Sequence, residues 1–235
     1  MSIDGRRVAV VTGASRGIGK ETAELLRKRD VVAVGISRHL GDTDMSCRCD
    51  VRDEAAVQRV FGTIASRFGR IDILINCAGI ASREDPLSLG TEAWEAVFRT
   101  NVIGTYLCCK HAIRHMLEQR YGRIVNIGSM AGRSYSRTAS VAYTCSKYAV
   151  IGLTRHLAAA FGERGIRINC VCPSQTKSEM LSSVVGEDEL ASLAAAAPMG
   201  RLAEPEEVAR AVCFLSGDEA SYINGAVLDV NGGQV

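Results

Sequence analysis

The fold is decided by residues 8–19, which read VAVVTGASRGIG. The segment opens with a short apolar run, typical of a buried strand, and continues into a turn with three glycines in seven residues. Glycine allows the backbone to turn sharply and lets a phosphate group approach without interference from a Cβ atom. The next residues predict a helix that begins at Ile18, so its free N–H groups would face that phosphate. Taken alone, the segment is also compatible with an ordinary strand-to-helix turn.

Outward from this segment, short runs rich in valine and isoleucine alternate with segments of helical length. The predicted strands are Val8–Thr12, Val31–Ile36, Met45–Cys49, Ile71–Asn76, Arg123–Ile127, Arg167–Cys172 and Ala226–Val230. The predicted helices are Ile18–Arg29, Glu54–Phe68, Thr91–Arg99, Val102–Gln119, Tyr143–Gly162, Glu187–Ala197 and Pro205–Leu215. Such alternation predicts an α/β fold: one doubly wound domain of the Rossmann type over residues 1–235, with about seven parallel strands and helices on both faces.

Two segments depart from this regular pattern. Only eight residues separate Ile36 from Met45, whereas a crossover that carries its own helix needs at least about 10–12. We therefore expect a nearly helix-free connection over residues 37–44, which would leave one end of a bound dinucleotide less covered. Residues 181–199 are rich in alanine and serine, and we expect them to form a mobile lid over a substrate.

Composition excludes several classes of protein. The 28 basic and 26 acidic residues leave a net charge of +2, so there is no broad cationic surface for nucleic acid. No apolar run approaches the roughly 18 residues of a membrane span. The first apolar run, residues 8–11, is shorter than the apolar core of a secretory signal. We therefore expect no nucleic-acid or membrane partner and a cytoplasmic location.

The nine cysteines are odd in number and contain no Cys-x-x-Cys pair. A secreted disulfide framework would be shorter and evenly paired, so we interpret them as reduced, buried thiols. His111 and His115 are four residues apart on a predicted helix, which is a spacing found in zinc sites. Because no third ligand is obvious, we expect no metal and interpret this pair as part of a solvated or interface surface.

Further motifs give the chain a recognisable resemblance. The pattern Thr-Gly-x-x-x-Gly-x-Gly at residues 12–19 is similar to the cofactor signature of the short-chain dehydrogenase/reductase family. The resemblance continues in the family's order through Asn76–Gly79, Asn101, Ser129, Tyr143-x-x-x-Lys147 and the segment from Pro173. It spans essentially the whole chain. Residues 198–209 and 222–225 most resemble the ending of the 3-oxoacyl-[acyl-carrier-protein] reductases.

The end of the second predicted strand favours NADP(H) as the cofactor. An NAD site needs a carboxylate there to bind the ribose 2′-hydroxyl, but residues 35–39 read GISRH. Arg38 would pair with a 2′-phosphate, and Arg16 would reach the same group; alternatively, both are solvated surface charges. By resemblance, Asp50 borders the adenine, Thr176 the nicotinamide carboxamide and Ser178 the pyrophosphate. The full set implied is Gly13, Ser15, Arg16, Gly17, Ile18, Gly19, Ser37, Arg38, Asp50, Val51, Asn76, Ala78, Gly79, Tyr143, Lys147, Pro173, Thr176 and Ser178.

Tyr143 and Lys147 are four residues apart, so a helix places both on one face. An ammonium beside a phenol favours the phenolate, although the same spacing also occurs on plain amphipathic helices. The resemblance implies that Tyr143 exchanges a proton with the substrate carbonyl and that Lys147 assists it and binds the nicotinamide ribose. It further implies that Ser129 donates a hydrogen bond to the carbonyl oxygen and that Asn101 holds a water behind Lys147. The alternatives to Ser129 are Ser134, Ser136 and Ser140.

These roles imply NADPH-dependent reduction of a small-molecule ketone to a secondary alcohol. The ending of the chain implies a 3-oxoacyl thioester on acyl carrier protein, as in fatty acid biosynthesis. The alternatives are an NADP(H)-dependent dehydrogenase of a small alcohol, sugar or steroid, and a non-catalytic NADP(H)-binding regulator. The resemblance also implies a homotetramer or homodimer, formed through the helices predicted at Val102–Gln119 and Tyr143–Gly162. The second helix is apolar on more than one face, which fits either a partner or a fully internal helix.

Overall fold

A computed structural model of the chain describes residues 5–39, 43, 45–183 and 185–234. Its strands are β1 (Val8–Thr12), β2 (Val32–Ser37), β3 (Ser46–Arg48), β4 (Ile73–Asn76), β5 (Gly122–Ile127), β6 (Ile166–Pro173) and β7 (Val227–Val230). Within these residues the strands form one sheet of order β3-β2-β1-β4-β5-β6-β7, and every neighbouring pair is parallel. The order reverses direction between β1 and β4, which is where open α/β sheets bind ligands.

Helices cover both faces of this sheet. They are α1 (Gly17–Lys28), α2 (Glu54–Phe68), α3 (Thr91–Phe98), α4 (Thr105–Gln119), α5 (Val141–Phe161), α6 (Glu179–Ser182), α7 (Glu187–Ala195) and α8 (Pro205–Ser216). Apolar residues of α2, α4 and α5 pack on one face of the sheet, and those of α1 and α8 pack on the other. Because both faces are covered, all five residues of β1 are buried. The predicted doubly wound α/β fold is therefore confirmed.

Between α3 and α4 the structure corrects the sequence prediction. Instead of two separate helices, the chain continues from α3 into α4 through a π-helical segment, Arg99–Gly104. Gly104 packs against Val51, which follows β3 in the chain. A Cβ atom on Gly104 would lie 2.7 Å from the Cγ2 atom of Val51. The hydroxyl of Thr105 donates to the carbonyl oxygen of Asn101 at 2.8 Å. These contacts hold Asn101 within the π-helical turn. Single π-helical turns inside α-helices are frequent at functional sites.

Two expectations concern segments that are described only in part. Of the connection at residues 37–44, positions 40–42 and 44 lie outside the described residues, and positions 38, 39 and 43 are not helical. The expected lid at residues 181–199 includes position 184, which also lies outside them. Its described part holds the end of α6 and all of α7. The segment packs through a small apolar cluster whose buried members are Val185, Leu193 and Leu202.

Three chain-wide features bear on function. Among the described residues, no helix combines the length and apolar character needed to cross a membrane. The same residues contain no group of three or more histidine, cysteine or acidic side chains placed to hold a metal ion. The nine cysteines are free thiols, and six of them are buried: Cys49, Cys108, Cys109, Cys170, Cys172 and Cys213.

Candidate active site

One cavity lies at the carboxyl edge of the sheet, where the loops after β1, β2, β4, β5 and β6 converge. It gathers most of the site residues predicted from the sequence. Those that line it are Gly13, Ser15, Arg16, Gly17, Ile18, Ser37, Arg38, Asp50, Val51, Ala78, Gly79, Ser129, Tyr143, Lys147, Pro173, Thr176 and Ser178. Three predicted residues do not line it: Gly19, Asn76 and Asn101.

The glycine-rich loop after β1 is shaped by contacts that larger residues would prevent. Gly13 and Gly17 have positive φ angles of 66° and 53°, a region that residues with a Cβ atom seldom adopt. A Cβ atom on Gly13 would lie 2.9 Å from the backbone of Ala78. A Cβ atom on Gly19 would overlap the carbonyl oxygen of Gly13. Gly19 therefore allows α1 to pack against the loop, which explains its place outside the cavity lining.

Thr12, the last residue of β1, joins two loops of the cavity. Its hydroxyl oxygen accepts the N–H groups of Cys77 at 3.0 Å and Ala78 at 2.9 Å. Cys77 and Ala78 follow the end of β4, where the backbone N–H groups no longer bond to a neighbouring strand. The Thr12 hydroxyl supplies the acceptor that these two N–H groups need. The loop after β4 is thereby held beside the glycine loop. This arrangement keeps the floor of the cavity in one position.

Charged groups gather where β2 and β3 end. Arg38 follows β2 directly and is exposed, and no acidic residue occupies the end of that strand. Across the cavity, Arg52 forms a bidentate ion pair with Asp50, with Nη2 2.7 Å from Oδ2. The hydrogen bonds from Arg52, with a smaller contribution from the charge of Arg38, hold the pKa of Asp50 below its usual range. Asp50 therefore stays a carboxylate that is already engaged by a guanidinium.

Helix α5 carries the two central residues of the cavity. Ser140 caps its first turn by accepting the N–H of Tyr143, and Lys147 follows one turn later. The Lys147 Nζ atom lies 5.5 Å from the centroid of the Tyr143 ring. It donates a hydrogen bond to the carbonyl oxygen of Ile127, at the end of β5, at 2.8 Å. Lys147 is only 7% exposed, so its charge acts in a partly desolvated site.

Ser129 lies on the loop that follows β5. Its backbone is extended, and its hydroxyl accepts the N–H of Ala131 at 3.1 Å, which leaves the hydroxyl proton available to another acceptor. Of the alternative serines, Ser136 also lines the cavity, but Ser134 and Ser140 do not. The Ser136 hydroxyl accepts two N–H groups of its own loop. Both hydroxyls keep their proton free for another acceptor, so hydrogen bonding does not separate Ser129 from Ser136, whereas Ser134 and Ser140 lie outside the cavity lining.

Asn101 stands behind the cavity rather than in its wall. Its Oδ1 atom accepts the N–H of Ile80 at 2.9 Å, and its Nδ2 atom donates to Ile80 O and to the Ser146 hydroxyl, both at 3.0 Å. A Cβ atom on Gly79 would lie 3.3 Å from Asn101 Oδ1 and 3.9 Å from Lys147 Nζ. The side chains of Asn101 and Lys147 therefore both lie close to the position that a side chain of Gly79 would occupy.

The Asn76 side chain points into the core and not into the cavity. It donates hydrogen bonds to Asn126 Oδ1 at 2.8 Å and to the sulfur of Cys109. Asn126 in turn donates to the hydroxyl of Thr154 on α5 at 2.9 Å. This buried polar network ties β4, β5 and α5 together. Asn76 thus supports the elements that carry the cavity without contributing to its surface.

Gln175 and Glu179 are among the polar residues of the cavity that sequence reasoning missed. The Gln175 Oε1 atom is buried and has no hydrogen-bond partner among the described residues, which is unusual for a buried acceptor. Glu179 forms an ion pair with Arg16, with Oε2 2.6 Å from Nη1. Both follow Pro173 in a segment that the family resemblance includes, but no pattern in the sequence shows where their side chains point.

Comparison with known proteins agrees with this geometry. A family profile described as Enoyl-(Acyl carrier protein) reductase matches residues 13–234. The cis-4-hydroxycyclohexanecarboxylate dehydrogenase of Sinomonas cyclohexanicum is 40% identical over 97% of this chain and 96% of its own length. The 3-oxoacyl-[acyl-carrier-protein] reductase of Vibrio cholerae is 37% identical over 99% of this chain and 98% of its own.

A solved structure, ElxO with NADP bound, superposes with a TM-score of 0.90 at 33% sequence identity and covers 97% of this chain and 98% of the other. The fold, the order of the motifs and these similarities over nearly the full length agree with one another. The chain therefore belongs to the short-chain dehydrogenase/reductase family.

Proposed function

We propose that this protein reduces a ketone to a secondary alcohol with NADPH and that Tyr143 is the general acid. The observation that carries the proposal is the placement of Tyr143, Lys147 and Ser129 around one cavity, with the Lys147 ammonium 5.5 Å from the phenol ring. A phenol, an ammonium and a hydroxyl donor in one cavity suit a reaction in which a carbonyl oxygen gains negative charge and then a proton.

The cavity fits a nicotinamide dinucleotide. Gly13 and Gly17 carry no side chain at two positions of the loop after β1, and α1 begins there, so backbone N–H groups face an approaching pyrophosphate. The buried and unpartnered Gln175 Oε1 atom offers an acceptor for an amide N–H such as that of the carboxamide. Arg38 and the absence of an acid at the end of β2 favour a 2′-phosphate. The NADP-bound state of ElxO supports the same choice.

The side chains divide the proton chemistry between them. When bound, the nicotinamide ring supplies the hydride that the carbonyl carbon receives. The Ser129 hydroxyl donates a hydrogen bond to the carbonyl oxygen, and Tyr143 donates the proton that completes the alcohol. The Lys147 ammonium stabilises the phenolate that remains. For Asn101, which lies close to Lys147 beside Gly79, we propose the role that the family resemblance implies, which is to hold a water that returns the proton.

For the substrate we propose a 3-oxoacyl thioester carried on acyl carrier protein. The similarity to the Vibrio cholerae reductase over nearly the full length supports this choice. A second candidate is the oxidation of a small cyclic secondary alcohol. It is favoured by the 40% identity to a dehydrogenase of 4-hydroxycyclohexanecarboxylate. Tyr135, Met130 and Met180 also line the cavity and offer apolar surface to either substrate.

We further propose that the chain acts as a homotetramer or homodimer. Ile103 in the π-helical segment, Tyr106 on α4 and Tyr148 on α5 are 44–48% exposed, and large exposed side chains of this kind often mark an interface. Residues 181–199 would act as the lid of a single catalytic domain spanning the chain. A cytoplasmic site of action is supported by nine free thiols, which are typical of reducing compartments.

Initial rates of NADPH consumption against acetoacetyl thioesters, diketones and cyclic ketones test the function, with Tyr143→Phe as the matched variant. The loss of a general acid should lower turnover by about 100- to 10,000-fold, while NADPH binding stays within about twofold because the ring is kept. If Tyr143→Phe retains most of its turnover, the acid–base role is wrong. Tight NADPH binding with no turnover on any ketone would favour a regulator instead.

A further inference from the structure

An ion pair bridges the cavity between the glycine loop and the segment that leads into the lid. Arg16 Nη1 lies 2.6 Å from Glu179 Oε2, although the two residues are 163 positions apart in the chain. Both residues line the cavity. Their side chains are 58% and 70% exposed. The pair is therefore accessible to solvent and to any ligand that enters between the two segments.

Local structure holds both partners in place. Arg16 immediately precedes α1 and has an extended backbone. Its side chain makes no capping hydrogen bond to the first turn of α1. On the other side, the Ser178 hydroxyl accepts the N–H of Leu181 and so fixes the start of α6, where Glu179 stands. A Cβ atom on Gly17 would lie 3.9 Å from the Cβ atom of Ser178. The two segments thus approach each other at the glycine loop, and the ion pair spans the approach.

This pairing changes what Arg16 offers to a ligand. A guanidinium engaged by a carboxylate must exchange that carboxylate for a phosphate before it can bind the phosphate, and a carboxylate left nearby repels the phosphate. We propose that Glu179 competes with the 2′-phosphate of NADPH for Arg16, and so lowers both the affinity for NADPH and the preference for NADPH over NADH. The inference rests on the proposed function, since it takes NADP(H) as the ligand.

The size of the effect follows from exposure. Exposed ion pairs are worth little, because water screens both charges. Competition from Glu179 should therefore change NADPH affinity by about two- to fivefold rather than by orders of magnitude. A modest penalty of this size allows Arg16 to change partners reversibly as the cofactor enters and leaves. NADH lacks the 2′-phosphate, so its affinity should respond much less.

The test is equilibrium binding of NADPH and of NADH to the full chain without substrate, followed by nicotinamide fluorescence. The variant is Glu179→Gln, which keeps the shape and removes the charge. The matched control is Glu206→Gln on α8, whose partner Arg210 lies 2.9 Å away in an equally exposed pair outside the cavity. A double variant, Arg16→Met with Glu179→Gln, shows whether the effect passes through Arg16. Thermal unfolding of each variant confirms that it is folded.

We expect Glu179→Gln to bind NADPH about two- to fivefold more tightly and to change NADH affinity by less than about 1.5-fold. The control should change neither, and the double variant should lose the gain. Unchanged NADPH affinity in Glu179→Gln, equal gains for both cofactors, or a gain that persists without Arg16 would each overturn the inference. If the unmodified protein binds neither reduced cofactor, the proposed function has failed, and the role of Glu179 falls with it.

Discussion

Replacing Gly128 by alanine would press a methyl group against two sulfur atoms behind the loop that carries Ser129. A Cβ atom at this position would lie 2.7 Å from the sulfurs of both Cys170 and Cys172, which are fully buried on β6. The N–H of Gly128 donates to the carbonyl oxygen of Val171 at 2.8 Å, so the loop is fixed to the same strand. Gly128 does not have a positive φ, and the effect of the substitution is therefore steric.

The contact distances set the magnitude. Non-bonded heavy atoms prefer separations of about 3.5–4.0 Å, so both contacts would be too short by about 1 Å. Overpacking of this kind typically costs about 1–3 kcal/mol of folding free energy. In a chain of this length each kcal/mol lowers the Tm by about 2–4 °C, which predicts a loss of about 2–12 °C. If the loop yields instead of the sulfurs, Ser129 moves, and a displacement near 1 Å costs up to about 100-fold in turnover.

Thermal unfolding and initial rates of Gly128→Ala, measured beside the unmodified protein, provide the assay. Gly62→Ala on α2 is the control, because a Cβ atom there would meet nothing within 4 Å, and helix propensity predicts a gain of up to about 1 kcal/mol. Adding Cys170→Ala and Cys172→Ala to Gly128→Ala should restore part of the Tm, since neighbouring changes are not additive. An unchanged Tm in Gly128→Ala, or no restoration in the triple variant, would refute the steric reasoning.

Two further predictions concern charge. Arg38→Asp should weaken NADPH binding by about 10- to 100-fold, since hydrogen bonds to charged groups contribute about 1.5–3 kcal/mol; nicotinamide fluorescence that shows equal losses for NADPH and NADH would discard the phosphate contact. Burial lowers the pKa of His111, although Glu54 lies 3.4 Å away and partly opposes the shift. His111 therefore binds a proton less tightly in the folded protein than in the unfolded chain. The stabilisation from a neutral His111 is fully present above about pH 6.5, and the free energy of unfolding decreases as the pH drops through that value. His111→Gln should flatten this decline in urea titrations, and an unchanged slope would contradict the assignment.

The sheet was predictable because its signal is local. Each strand of a covered parallel sheet is apolar on both faces, so runs such as those predicted at Val8–Thr12 and Ile71–Asn76 stand out without knowledge of their neighbours. The glycine loop was predictable for a related reason. Gly13 and Gly17 have positive φ angles, and Gly19 packs against the backbone of Gly13 in the same loop. Local requirements of this kind leave a fixed spacing in the sequence.

Structural features that depend on contacts between residues far apart in the chain show no regular spacing in the sequence, so they could not be predicted. The π-helical segment at Arg99–Gly104 is held by contacts with Val51 and Ile80, which belong to other elements. The ion pair between Arg16 and Glu179 joins residues 163 positions apart. A motif also identifies a residue without giving the direction of its side chain, so the core position of Asn76 could not be distinguished from a place in the cavity wall.

The buried Lys147 side chain shows how one distant contact bears on the proposed reaction. A lysine ammonium has three donors, yet among the described residues Lys147 Nζ has a single hydrogen-bond partner, the carbonyl oxygen of Ile127, and no carboxylate forms an ion pair with it. A partnering carboxylate would neutralise the field that stabilises a phenolate. The carbonyl orients the ammonium without cancelling its charge, and two donors remain for the cavity. Under the proposed function, the carbonyl at the end of β5 thus orients a buried and largely unpaired positive charge in the cavity that Tyr143 also lines, as proton exchange with Tyr143 would require.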